Sequence, residues 1–156
     1  MDSILHRLRH TTTSRRVALL RIVGGLPLLL FGALHLIDPE PFRQILESSG
    51  VPFVDFNLIA APLTEVAAGL LLITGYYARL GGALGATTMI AAAYSTVMLT
   101  QLGSGPEVPP MALPLSVLTI STYVLWRGAG AWSLDLLAAE SDGLMTSHRR
   151  PVDPMA

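Results

Sequence analysis

NLIAAPLTEVAAGLLLITGYYARLGGALGATTMIAAAYSTVMLTQ, residues 57–101, is two apolar runs joined by almost nothing. About 20 residues at ~1.5 Å rise cross a ~30 Å hydrocarbon core, so each run is long enough to span a membrane as a helix. The link, Tyr77-Ala78-Arg79, is so short that the two helices must be antiparallel neighbours. Two further apolar runs flank this hairpin, at 17–37 and 111–126. The last is close to the lower limit of about 17 residues for a span. The expected fold is all-α: an integral membrane four-helix bundle with spans at about 17–37, 57–76, 80–101 and 111–126. Residues 1–16 then form an Arg-rich cytoplasmic tail, 17–136 the transmembrane domain and 137–156 a flexible cytoplasmic tail.

Composition agrees with a lipid environment. Hydrophobic residues make up 51% of the chain and charged residues 13%, against ~25% in an ordinary soluble domain. The net charge of -1 carries no nucleic-acid signal. All 10 basic residues are arginines, and Arg43 alone falls in a loop on the far side of the spans. By the positive-inside rule both termini are cytoplasmic. The first span, basic-flanked and too long for a signal-peptide core, reads as an uncleaved anchor. The absence of cysteine excludes thiolate metal ligation and iron–sulfur ligation through cysteine. Only His35 among the histidines lies in a span, which speaks against a haem held by two intramembrane histidines; no metal site is expected.

Between the first two spans, Asp38-Pro39-Glu40-Pro41 stops one helix, and Phe42, Ile45 and Leu46 recur at helical spacing before Gly50 and Pro52. A short amphipathic helix on the outer membrane surface fits this pattern, either as a connector or as a lid over a ligand entrance. After the fourth span, Trp126 and Trp132 suit the inner headgroup level. In the third span Gly81, Gly85, Thr88, Ala92 and Ser95 form one seam of small residues, with Gly81 and Gly85 as a GxxxG pair. The seam serves packing inside the bundle, or homo-oligomerisation through it.

The polar residues within the spans are the functional candidates. Glu65 lies about 12 Å below the outer surface at helical rise. An unpaired carboxylate at that depth costs several kcal/mol unless it is paired or takes up a proton, and such groups mark proton relays, ligand sites or interhelical hydrogen bonds. Pro62, one turn earlier, frees the carbonyl of Leu58 and favours a kink. Depth counted from the inner ends puts Tyr94, Ser95, Ser116 and Thr119 near the level of Glu65. His35 stands about 9 Å further out; it either reaches Glu65 through a tilt or a water, or faces headgroups and Asp38. Arg21 either snorkels to inner headgroups or bonds the C-terminal carbonyls of a neighbouring helix. Arg79 sits in the hairpin link.

These residues carry a resemblance. Arg21, Gly25, Gly32 and His35 in LLRIVGGLPLLLFGALHL, the loop ending in SGVP, and EVAAGLLLITGYYARLGG from Glu65 resemble DoxX-type membrane proteins, as does GAGAWSLD after the fourth span. The similarity covers roughly 16–136. It implies a compact bundle of four transmembrane helices in the bacterial inner membrane. Many members carry lysine at the position of His35, so a charged partner for the acid depends here on a protonated imidazole. The resemblance also implies sulfur or quinone redox chemistry, since a related subunit belongs to a thiosulfate:quinone oxidoreductase, and an association of other members with detoxification complexes.

Two functions of different kinds follow. In one, the protein is a redox-associated membrane subunit, with Glu65 bonding or protonating a quinone carbonyl and His35, Tyr94, Ser95, Ser116 or Thr119 as further polar contacts. In the other it is a non-enzymatic membrane anchor for a soluble redox-enzyme partner. The lipid bilayer is its surroundings in both. A small transporter ranks behind them, because four helices leave little room for a pore and no inverted repeat is present.

Overall fold

The computed structural model describes residues 14–102 and 110–138. It contains five helices of length in chain order: α1 Arg15–Ile37, α2 Glu40–Ser48, α3 Val54–Thr74, α4 Ala78–Leu102 and α5 Ala112–Arg127. A short helical turn at 134–138 follows, and no strand occurs among the described residues. The four longer helices form a ring in which α1 packs on α3, α3 on α4, α4 on α5 and α5 back on α1.

The helix bounds follow from local chemistry. The second span, expected to reach 76, stops at Thr74 because Gly75 adopts a left-handed φ of 68° and its N–H closes on the Leu71 carbonyl at 2.9 Å. Its start moves out to Val54, behind Phe53 in a left-handed conformation. The N-terminal tail expected to run to residue 16 lies outside the described residues up to 13, and Arg15 and Arg16 already belong to α1. The flexible tail expected from 137, and the third loop at 103–109, fall largely outside the described residues as well.

α1, α3 and α4 are long and apolar enough to cross a membrane, with mean hydropathies of 2.1, 1.8 and 1.3. Their outward faces carry Leu19, Val23, Leu30, Ile59, Leu63 and Ile90, all exposed. In water such a surface would drive association, whereas lipid tails are as apolar as the side chains themselves. The protein is therefore a multi-pass membrane protein built as an all-α bundle. α5, at 16 residues, covers only about 24 Å.

Helix contact in lipid rests on close packing rather than on burial from water. α1 and α3 approach most closely: a Cβ on Gly69 would lie 2.6 Å from the Leu29 backbone nitrogen, and one on Gly32 would lie 2.8 Å from the Glu65 Cβ. The Gly81–Gly85 seam is likewise occupied within the chain. Gly81 faces Leu71 and Leu72 of α3, and Gly85 faces Leu28 of α1 and Ser121 of α5. Both glycines are buried, so this seam offers no surface to a second copy, and the homo-oligomer expected there loses its basis.

Candidate functional site

Two buried polar assemblies sit at opposite ends of the bundle. The first is a clamp on the α3–α4 turn. Arg21 is fully buried and donates from Nη1 to the carbonyls of Leu72 and Ile73, in the last turn of α3, and from Nη2 to the Trp132 carbonyl at 3.1 Å. These α3 carbonyls are among the four that a helix C-terminus leaves without partners. Asp135, 1% exposed, does the converse for α4: its carboxylate accepts from the N–H groups of Tyr77 at 2.9 Å and Ala78 at 3.0 Å. Tyr77 is held at a left-handed φ of 45°, and both N–H groups turn towards the one carboxylate. The segment after α5 is drawn back to make this contact, with Ala131 donating to the Ser14 carbonyl and Asp135 to that of Gly75.

Arg21 thus bonds helix carbonyls rather than headgroups. Asp135 went unassigned in the sequence because its partners lie 57 and 58 residues away and no local spacing announces them; its place in GAGAWSLD was the one available signal. Trp132 is 63% exposed, with the Arg15 guanidinium 5.9 Å from its ring centroid. Arg79 lies half-buried in the first turn of α4. We expect Asp135→Ala to lower the unfolding midpoint by an amount worth about 1–3 kcal/mol, since two helix-terminal N–H groups lose their acceptor. Asp135→Asn, which keeps one acceptor oxygen, should fall between that variant and the parent. Thermal unfolding in detergent micelles checks both.

The second assembly is a partly open cavity of about 330 Å³ lined by α1, α3, α4 and α5 and by α2. Its walls are mostly apolar, with Leu28, Phe31, Met89 and Val117 from the bundle and Phe42, Ile45 and Leu46 from α2. Glu65, 6% exposed, and His35 project into it. His35 Nδ1 stands 3.4 Å from Glu65 Oε2, and neither atom has a hydrogen-bond partner among the described residues. The imidazole is stacked on Phe42, ring centroids 4.3 Å apart and planes 11° from parallel, which fixes its orientation.

The other hydroxyls on the wall behave differently. Thr64, Thr87, Thr88 and Thr96 each bond a carbonyl of their own helix, at 2.7, 3.0, 3.1 and 2.9 Å. Ser95, buried, meets Ser49 at the end of α2, Oγ to Oγ 3.3 Å. α2 is held from above by Leu46 in the bundle and from outside by Arg43, which donates to Asp55 at 2.9 Å and has its pKa raised by that bond. An exposed pair of this kind contributes little, so apolar contact fastens α2.

Among the sequence candidates, the structure brings Glu65, His35 and Ser95 to one cavity. Pro62 is buried in α3, its carbonyl beside Gly32. Tyr94, Ser116 and Thr119 lie at a suitable depth but face outward. Tyr94 is 48% exposed, and the hydroxyls of Ser116 and Thr119 close on Ala112 and Leu115.

A family model described as DoxX matches residues 17–98, more than half of the 156-residue chain. The match takes in α1 to most of α4, with Arg21, His35 and Glu65, and ends before α5 and Asp135. No curated protein and no solved structure matches the chain.

Proposed function

The chain belongs to the DoxX family of membrane-associated proteins, often linked to redox functions, and on that premise we propose that it is the membrane subunit of a redox system that holds a quinone-like carbonyl compound in its cavity. The observation that carries this reading is the buried Glu65 facing a half-buried His35, with neither facing atom hydrogen-bonded, on the wall of a mostly apolar cavity. At about 330 Å³ the space is within the ~300–1,000 Å³ of small-molecule sites, and few convergent polar groups in an apolar lining are their usual form.

The donor set suits such a ligand. A quinone supplies paired electron and proton transfer when bound. The facing Nδ1 of His35 and Oε2 of Glu65, both without another partner, stand where one carbonyl oxygen could take a hydrogen bond, and the Ser95 hydroxyl offers a contact for a second oxygen. Phe42 keeps the imidazole plane fixed, so the proton is presented at Nδ1 rather than lost to a rotating ring. The mostly apolar wall lowers the local dielectric, which strengthens a hydrogen bond made inside. The chain has no cysteine, and we assign the electrons to a soluble redox-enzyme partner at the membrane. We place the protein in the bacterial inner membrane with both termini cytoplasmic, α5 completing a fourth crossing in a locally thinned bilayer.

The test is native mass spectrometry of the protein released from its own membrane in lipid discs. A retained adduct of quinone mass is expected. A stoichiometric soluble protein without any small molecule would instead make the chain a membrane anchor and the His35–Glu65 pair interhelical glue.

A further inference from the structure

Of the cavity-lining residues, only Phe31, Thr87 and Ala91 are also exposed on the outside of the bundle. Thr87 and Ala91 lie one turn apart on α4, and across from them on α3 the lining residues Ala60 and Thr64 are half-buried. All four are small, so the wall between α3 and α4 is thin at this height. Phe31, in contrast, puts an aromatic ring in the wall, its centroid 6.3 Å from that of His35. The depth of the thin stretch matters. Glu65 is as many residues before the end of α3 at Thr74 as Thr87 is after the start of α4 at Ala78, so the two stand level in the membrane.

The chemistry of this rim is apolar in spite of its threonines. Thr64 gives its hydroxyl to the Ala60 carbonyl and Thr87 to that of Ala83. Each therefore turns its methyl group, rather than a free donor, to the gap. A polar head leaving through it would find no partner, whereas a hydrocarbon chain would lose nothing on passing from lipid to this lining.

We propose that the cavity opens sideways into the bilayer between α3 and α4, through Ala60, Thr64, Thr87 and Ala91, and that its ligand bears a hydrocarbon tail lying in this gap. The inference rests on the ligand-binding reading above and adds to it the form of the ligand and its route. The protein then draws its ligand from the membrane, in tailed form, rather than from water through α2.

The full chain in phospholipid discs is photolabelled with a quinone carrying a diazirine on its isoprenoid tail, and the labelled residues are mapped by mass spectrometry. Labelling of α3 and α4 at the four rim residues, displaced by excess unlabelled quinone but not by added phospholipid, is the expected result. Ala91→Phe should cut that labelling about tenfold by filling the gap, while a short-tailed quinone still protects the cavity. Displaceable labelling at Phe31 and Val117 on the α1–α5 side would overturn the proposed route and leave the ligand reading standing. Labelling that no quinone displaces would overturn both, and displacement by phospholipid would make the occupant an acyl lipid. Because the wild-type chain carries the mapping, a poorly folding Ala91→Phe leaves the test intact.

Discussion

Replacing Arg21 with methionine is expected to deprive the protein of a stable fold, with the unfolding midpoint in mild detergent falling sharply and purified yield with it. Methionine fills most of the arginine's volume, so the loss comes from polar groups rather than from a void. The carbonyls of Leu72, Ile73 and Trp132 lose the donor that the buried Arg21 supplies, at about 1–3 kcal/mol for a buried group left unsatisfied and less for the part-buried ones. Asp135 is left without the positive charge that compensates it across the clamp. The sum is several kcal/mol, against total stabilities of about 5–15 kcal/mol. Arg21→Lys should rescue little. An ammonium is a point charge on a flexible stem, while the three acceptors lie along the fork of a planar guanidinium. Gly75 leaves room for that plane, since a Cβ there would lie 2.5 Å from Nη1. If Arg21→Met unfolded at the parent's temperature, the clamp would be ornament, and the fold would rest on helix packing alone.

Arg21 also marks how far the sequence could be read. Hydropathy located the long helices, because a ~30 Å apolar core imposes a length that few other structures require. It left their rotation open. In lipid the outward face is as apolar as the core, so the helices are hydrophobic all round and no stripe points inward. Tyr94, Ser116 and Thr119 were therefore placed by depth alone, and the structure turns them outward. The small residues did carry rotational information. Gly25, Gly32 and the Gly81–Gly85 pair all lie where another backbone or side chain comes close.

The ~9 Å of depth assigned between His35 and Glu65 assumed that spans begin at one plane. They do not. Gly32 lies against Glu65, and from that level α3 runs out to Val54, well beyond the end of α1 at Ile37. α2 packs into the step so formed, which puts Phe42 on His35 and leaves the imidazole 3.4 Å from the acid. The clamp at the other end was invisible for a different reason. Its carboxylate caps a helix that begins 57 residues earlier, and no local pattern encodes a cap of that range.

Glu65→Gln is expected to leave the bundle folded and to abolish the quinone reduction proposed for it. Gln has the shape of Glu, and the close approach of α1 and α3 rests on Gly32 and Gly69, so the packing is undisturbed and the unfolding midpoint should barely move. What the amide lacks is a proton to give up. If the pair supplies the proton to a ligand carbonyl, quinol formation in membranes carrying the variant should fall by about 10²–10⁴-fold, the usual contribution of a positioned acid or base. His35→Phe should behave differently. It keeps the aromatic stack on Phe42 but leaves the buried carboxyl without its one facing polar partner in an apolar wall, so the unfolding midpoint should fall. Loss of function with stability intact in Glu65→Gln, beside loss of stability in His35→Phe, separates a proton carrier from structural glue. An unaltered rate in Glu65→Gln would exclude the carboxyl as the proton's source. A collapsed fold in that same variant would assign the acid to packing.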